Sequence, residues 1–131
     1  MPEPRRLVLD AETSAVPLAR HWASEVCSGQ GLPTGALGVL QLLVTEAVAN
    51  AVEHGSGPIT VEVDALGRGV HVTVHDTCPD HPVLRHVAAM ATGGRGVALI
   101  DQLATGWGVE DEPEDGKTVW FDVAADAEWP T

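Results

Sequence analysis

Two polar residues stand inside an otherwise apolar segment that runs from Leu37 to Val52. Glu46 and Asn50 are four residues apart, so in a helix they lie on one face. A carboxylate in such a segment costs free energy unless it is paired or opens onto a polar cleft. The pattern leaves two interpretations open, a partly exposed stripe on a surface helix or side chains that line a ligand cleft. In a cleft, the Asn50 amide oxygen is a suitable ligand for Mg²⁺, which otherwise keeps phosphate oxygens and waters.

A glycine-rich turn precedes a second, shorter apolar segment. Gly93, Gly94, Arg95 and Gly96 come directly before Val97. Glycines at the start of a helix let backbone N–H groups point at an anion, and the helix dipole adds to the attraction. Such turns are common in proteins, so this one alone is a weak indication of phosphate binding.

Asp76 ends a segment in which apolar and polar residues alternate. An aspartate at the end of a strand is usually a turn residue that bonds its own backbone. In a pocket, the same carboxylate can instead accept a hydrogen bond from an exocyclic amine.

A competing metal site must be considered, because five potential ligands fall within 16 residues, namely His71, His75, Cys78, His81 and His86. On a strand the first two share a face, and the spacing from Cys78 to His81 suits zinc. The plainer interpretation puts the strand histidines on a polar sheet face and the others on a loop, and it is the one we favour.

The elements that must position these residues can be predicted from periodicity. Alternation predicts strands at 5–10, 59–64, 70–75, 107–111 and 117–123. Helical spacing predicts helices at 17–27, 34–54 and 96–103, with a further short helix at 83–91. Because the strands come in adjacent pairs, we expect an α+β fold, a two-layer sandwich. Its sheet would be mixed but mostly antiparallel, with the helices on one face.

Length and charge exclude several classes of protein. The chain has 131 residues and a formal net charge of −12, which suits a single domain over residues 1–131. The acidic balance argues against partners such as nucleic acid or an anionic membrane, which need a basic surface. No apolar run approaches the roughly 20 residues of a membrane span, and no signal peptide is evident, so we expect a cytoplasmic protein. Cys27 and Cys78 are then expected to be free thiols.

The order of these features resembles the Bergerat-type (GHKL) ATPase/kinase superfamily over about residues 17–123. Residues 46–55, EAVANAVEHG, look like the N box of that superfamily and are the most distinctive match. Asp76 falls where the family places its adenine-binding aspartate. The closest resemblance is to small stand-alone anti-sigma regulatory factors, which are serine/threonine kinases.

The resemblance implies ATP and Mg²⁺ as cofactors and a role for each matched residue. Glu46 would act as general base for an attacking hydroxyl, and Asn50 would hold Mg²⁺ against the ATP phosphates. Asp76 would bond the adenine amino group, supported through water by Thr118, which falls at the last box of the family. The phosphate box would present backbone donors to ATP and comprises Gly94, Arg95, Gly96 and Val97.

The resemblance also implies partners. The chain would phosphorylate a Ser or Thr of an anti-anti-sigma (STAS-type) protein, with sequestration of a sigma factor and formation of a homodimer as further suggestions. One departure motivates an alternative, because Cys78 and Asp80 stand where the superfamily usually has glycines. In that alternative the chain is a non-catalytic interaction module, either ATP-binding or nucleotide-free. A sensor histidine kinase is disfavoured, because the chain has no room for a dimerisation helix pair.

Overall fold

The part of the chain that the structure describes contains five strands and three helices, which follow one another in the predicted order. The computed structural model describes residues 3–54, 57–77, 96–112 and 116–128. The strands are β1 (Arg5–Leu9), β2 (Ile59–Leu66), β3 (Gly69–Asp76), β4 (Gly106–Glu112) and β5 (Gly116–Val123). The helices are α1 (Ala15–Gly29), α2 (Thr34–His54) and α3 (Gly96–Leu103). The short helix predicted at 83–91 lies outside the described residues.

The strands form one sheet in the order β1-β2-β3-β5-β4, and each neighbouring pair is antiparallel. The expected α+β class is therefore confirmed, with described strands that are all antiparallel rather than mixed. A two-residue turn at Gly67 and Arg68 joins β2 to β3, and Gly67 has a φ of 58°, which suits glycine.

Alternation along the strands gives the sheet two different faces. The face toward the helices carries the core, with Val61, Val72, Val74 and Phe121 at most 1% exposed. The other face carries polar and aromatic side chains that are half-buried, among them Glu62, His71, Thr73, Trp120 and Asp122. All three helices contribute buried residues to the core, so the helices cover one face of the sheet only.

Helix α2 lies at the centre of that core. Its buried residues recur every three or four positions, and no residue between 36 and 52 is exposed. By length and composition alone, Thr34–Glu53 could cross a membrane, so the expectation that no segment is long and apolar enough is wrong. In this structure the segment packs among the other core elements, as the central helix of a folded domain does.

The end of α1 explains how the chain turns from α1 to α2. The N–H of Leu32 donates to the carbonyl oxygen of Cys27 at 3.0 Å, and that of Gly31 donates to the carbonyl oxygen of Ser28 at 3.0 Å. Gly31 has a φ of 89°, so these bonds form a Schellman motif with glycine in the left-handed position. At the other end, Ser14 is the N-cap residue of α1, but its side chain makes no capping bond.

Candidate functional site

The connections of the chain bring α2, β3 and β5 together at one end of the sheet. Only four residues join His54 at the end of α2 to Ile59 at the start of β2. The pairing register places the start of β2 beside His75, near the end of β3. It also places the start of β5 there, because Asp76 pairs with Lys117. The half of α2 that carries Asn50 therefore ends at the same end of the sheet as Asp76.

A buried ion pair occupies this end of the sheet. The Nζ of Lys117 lies 3.4 Å from the Oδ2 of Asp76, and each side chain is 1% exposed. Lys117 is the only lysine in the chain. Fully buried lysines are rare because the ammonium loses its hydration. A lysine at such a position is expected to have a partner and to serve a purpose that a hydrophobic residue could not.

Two glycines allow neighbouring atoms to approach closely at the end of β3. A Cβ at Gly116 would overlap the carbonyl oxygen of Asp76 and lie 2.8 Å from the Cα of Thr77. Gly116 also has a φ of 105°, which side chains rarely adopt. A Cβ at Gly57 would overlap the Oγ1 of Thr77. These contacts fix the position at which β3 ends, and with it the Asp76 carboxylate.

Glu46 and Asn50 lie on α2 as the spacing predicts, at the border of its buried stripe. Asn50 is 9% exposed, and its Nδ2 has no hydrogen-bond partner among the residues that the structure describes. Glu46, one turn earlier, is half-buried, whereas Glu53, nearly one turn later, is exposed. The pair thus presents a carboxylate and an amide from one helix. Of the two interpretations left open, a partly exposed surface stripe does not describe Asn50.

The structure does not bring Thr118 to Asp76. Successive residues of a strand point to opposite faces, so Thr118 lies on the face away from the helices. There its Oγ1 lies 2.9 Å from the Nδ1 of His75. The residue beside the Asp76 carboxylate is Lys117 instead, which the sequence prediction of the site did not include. The signal was present, because Lys117 shares the period-two pattern of the buried residues Val119 and Phe121.

Part of the predicted phosphate box can be located. Gly96 begins α3, as predicted, and two residues join the end of α3 to Gly106. Gly106 pairs with Asp122, at the end of the sheet far from Asp76. That connection leaves the N-terminus of α3 as the helix end that can face the site. Gly94 and Arg95 lie outside the described residues, and of Val97 only the backbone is described.

His71 and His75 have partners on the face of the sheet that points away from the helices. The Nδ1 of His71 lies 2.5 Å from the Oδ1 of Asp122, and its ring lies 5.6 Å from that of Trp120. Within the described parts of the chain, no group of three metal-ligating side chains occurs. The other members of the proposed zinc cluster, Cys78, His81 and His86, lie outside those parts.

Cys27 is a free thiol on α1 and belongs to the hydrophobic core. Burial disfavours the thiolate and raises the pKa of Cys27 from 9.0 to about 11. A reactive cysteine needs a depressed pKa and some exposure, so Cys27 has a structural role.

Comparison with known protein families agrees with this arrangement. Residues 9–123 match the model of the histidine kinase-like ATPase domain, which covers all described elements except most of β1. No curated protein matches the chain.

Proposed function

Since this chain belongs to the histidine kinase-like ATPase domain family, we propose that it is an ATP-dependent serine/threonine protein kinase. The family supports ATP binding and a kinase-like domain. The finer proposal is that the chain transfers the ATP γ-phosphate to a Ser or Thr of a STAS-type anti-anti-sigma protein.

The residues at the Asp76 end of the sheet fit ATP with Mg²⁺. The Asn50 side chain is buried with an unpartnered amide nitrogen among the described residues, so a polar group at this position would satisfy it. Its amide oxygen is a hard donor of the kind that Mg²⁺ prefers. The Asp76 carboxylate is an acceptor for the amino group of adenine.

The proposed chemistry assigns one task to each side chain. Asn50 would hold Mg²⁺, which neutralises charge on the phosphates. Glu46 accepts the proton of the attacking hydroxyl. The hydroxyl oxygen bonds to the γ-phosphorus as the bond from that phosphorus to the β,γ-bridging oxygen breaks, and ADP leaves with the bonding electrons. Phosphoryl transfer is accelerated mainly by positioning of the reactants rather than by covalent catalysis. Side chains held on a buried helix are suited to such positioning.

The observation that carries the proposal is the pair on α2. To bind ATP with its metal, the site needs Asn50 but not Glu46. A general base at Glu46, one turn earlier, is useful only if a proton must be removed from an attacking hydroxyl. Glu46 is half-buried beside Asn50, at the border between the core and the surface. A hydroxyl of a docked protein can therefore reach Glu46 while the phosphates lie at Asn50.

The direct test is transfer of radiolabelled γ-phosphate from Mg-ATP to purified STAS-domain proteins of the source organism. We expect Glu46→Gln to lower the transfer rate by about 10²-fold or more while ATP binding, measured by calorimetry, is retained. Glu25→Gln is the matched control, because Glu25 is an exposed carboxylate on α1. A Glu46→Gln protein with full kinase activity would contradict the assigned role.

One contact favours a second candidate function. Asp76 already has the Lys117 ammonium 3.4 Å away, so its carboxylate is neutralised without a nucleotide. In a nucleotide-free interaction module, this ion pair would replace the adenine contact, and the protein would act by binding alone. Titration with Mg-ATP beside Asn50→Ala decides between the two, with circular dichroism to show that both proteins are folded. Saturable binding that the variant loses supports the kinase, and no binding by either supports the module.

The remaining expectations form part of the same proposal. We propose a cytoplasmic protein that acts on protein partners and not on nucleic acid or membranes, as its net charge of −12 favours. Sequestration of a sigma factor and formation of a homodimer are separate steps. Both can be measured by size-exclusion chromatography with light scattering, with and without the purified sigma factor.

A further inference from the structure

Lys117 is a charged group at the site that the proposed chemistry does not use. It is buried, it is the only lysine of the chain, and its Nζ lies 3.4 Å from the Oδ2 of Asp76. Its side chain points to the helix-covered face of the sheet, the same face as Asp76. Removal of an ammonium from water is costly, and a hydrophobic residue would serve packing alone at lower cost.

The chemistry of the pair suggests what it binds. A carboxylate only accepts hydrogen bonds, and an ammonium only donates them. The pair therefore presents one acceptor and one donor side by side. A partner that satisfies both must itself carry a donor next to an acceptor, and the Watson–Crick edge of adenine does, with its 6-amino group beside ring nitrogen N1.

We propose that Lys117 is a specificity-determining residue that donates a hydrogen bond to N1 of adenine while Asp76 accepts one from the 6-amino group. This inference rests on the proposed function, because it assigns the base of the same nucleotide. The ammonium has three N–H donors and can therefore contact more than one acceptor. Since both side chains are buried, a base that contacts them is also buried. A polar group without a hydrogen-bond partner costs most free energy when it is buried in this way.

The arrangement also predicts rejection of guanine. Guanine in the same orientation sets its carbonyl oxygen O6 against the Asp76 carboxylate and its N1–H against the Lys117 ammonium. Both contacts are then between like groups, and buried polar groups left unmatched give strong discrimination. We expect ATP to bind at least about 10²-fold more tightly than GTP.

The test uses the whole chain and modified nucleotides, with binding measured by calorimetry. In 1-deaza-ATP a C–H replaces N1, so the analogue keeps the 6-amino group and loses only the acceptor that Lys117 would meet. We expect the unmodified protein to bind 1-deaza-ATP about tenfold more weakly than ATP. Equal affinity for the two nucleotides overturns the inference without any change to the protein.

A variant shows whether Lys117 is the donor. For Lys117→Met, we expect weaker ATP binding than in the unmodified protein but equal affinities for ATP and 1-deaza-ATP, because the contact is already lost. If the variant still discriminates tenfold, another group contacts N1 and the inference is wrong. If Lys117→Met does not fold, the double variant Lys117→Met/Asp76→Asn removes the unpaired charge, and the same ratio of affinities is measured on it.

The outcome separates this inference from the proposed function. If the unmodified protein binds none of ATP, GTP and 1-deaza-ATP, the proposed ATP site is wrong, and the proposed recognition of the base is wrong with it. If it binds ATP but does not distinguish N1, only the role of Lys117 fails.

Discussion

Because the ion pair of Asp76 and Lys117 is buried, a change to either side chain alters the stability of the fold as well as the binding site. Loss of one partner leaves the other as a buried, uncompensated charge, which typically costs about 3–5 kcal/mol, whereas replacement of both by neutral groups can be almost neutral. The measured effect of a Lys117 variant on binding therefore has to be separated from its effect on folding. That separation is the reason for modifying the nucleotide as well as the protein.

The raised pKa of Cys27 predicts a loss of stability at high pH. A folded-state pKa of about 11 against 9.0 means that the folded protein holds the thiol proton more tightly than the unfolded chain. The contribution is complete below pH 9 and is lost as the pH rises toward 11. We expect the free energy of unfolding to fall by about 2 kcal/mol across this window.

The measurement is urea denaturation at several pH values, compared between the unmodified protein and Cys27→Ala. Subtraction of the two curves removes the titration of Lys117 and of every other group that both proteins share. Cys27→Ala should be less stable at neutral pH because it loses buried volume, and its stability should fall less between pH 9 and 11. Parallel curves over that range would show that the Cys27 thiol has an ordinary pKa.

At the scale of the elements, the end of β3 depends on Gly116. Its φ of 105° and the overlap of a Cβ with the Asp76 carbonyl oxygen predict that Gly116→Ala costs about 3 kcal/mol or more in free energy of unfolding. Gly67→Ala is the matched control, because Gly67 also has a positive φ but has nothing within 4 Å of a Cβ. We expect this control to cost only about 1 kcal/mol. Chemical denaturation of both variants measures the difference, and equal losses would contradict the crowding at Gly116.

Most elements could be predicted from the sequence because their physical signals are local. Helix α2 begins and ends where predicted, at Thr34 and His54, since its apolar spacing and the glycine after it act over a few residues. Alternation likewise predicted β2 and β3 as adjacent strands, and the two pair antiparallel. The strand order β3-β5-β4 could not be predicted in this way, because it depends on pairing between segments that are far apart in the chain.

The candidate site was predicted less completely than the fold. Glu46 and Asn50 follow from one helix, but the neighbour of Asp76 depends on the register between β3 and β5. A shift of one residue along β5 exchanges the faces, and this is the difference between Thr118 and Lys117. The resemblance placed Thr118 at the last box of the family without that register. The burial of Lys117, Val119 and Phe121 shows which residues of β5 face the helices.

For the whole molecule, the net charge of −12 predicts that salt stabilises the fold. With 19 acidic and 7 basic residues, repulsion among carboxylates outweighs the few surface ion pairs, of which Arg6–Glu62 is one. Raising KCl from about 0.01 M to about 1 M shortens the Debye length from ~30 Å to ~3 Å. We expect the melting temperature to rise over this range, measured by circular dichroism.

A variant with fewer exposed carboxylates tests the cause of the salt effect. Asp126→Asn/Glu128→Gln removes two negative charges from exposed positions near the end of the described chain. Its melting temperature should be higher at low salt and should rise less with KCl. A melting temperature that falls with salt in the unmodified protein would mean that attractive pairs dominate its surface.

Burial of the chain's only lysine also gives the protein a built-in chemical reporter. Because the folded side chain is 1% exposed, an acylating reagent reaches the ε-amine of Lys117, as the adenine base would, only when the groups that cover the ends of β3 and β5 open. The increase in mass of the peptide that contains residue 117 then measures the rate of that opening at a single atom. A ligand that holds these strand ends together would slow the acylation, and one that binds elsewhere would leave it unchanged.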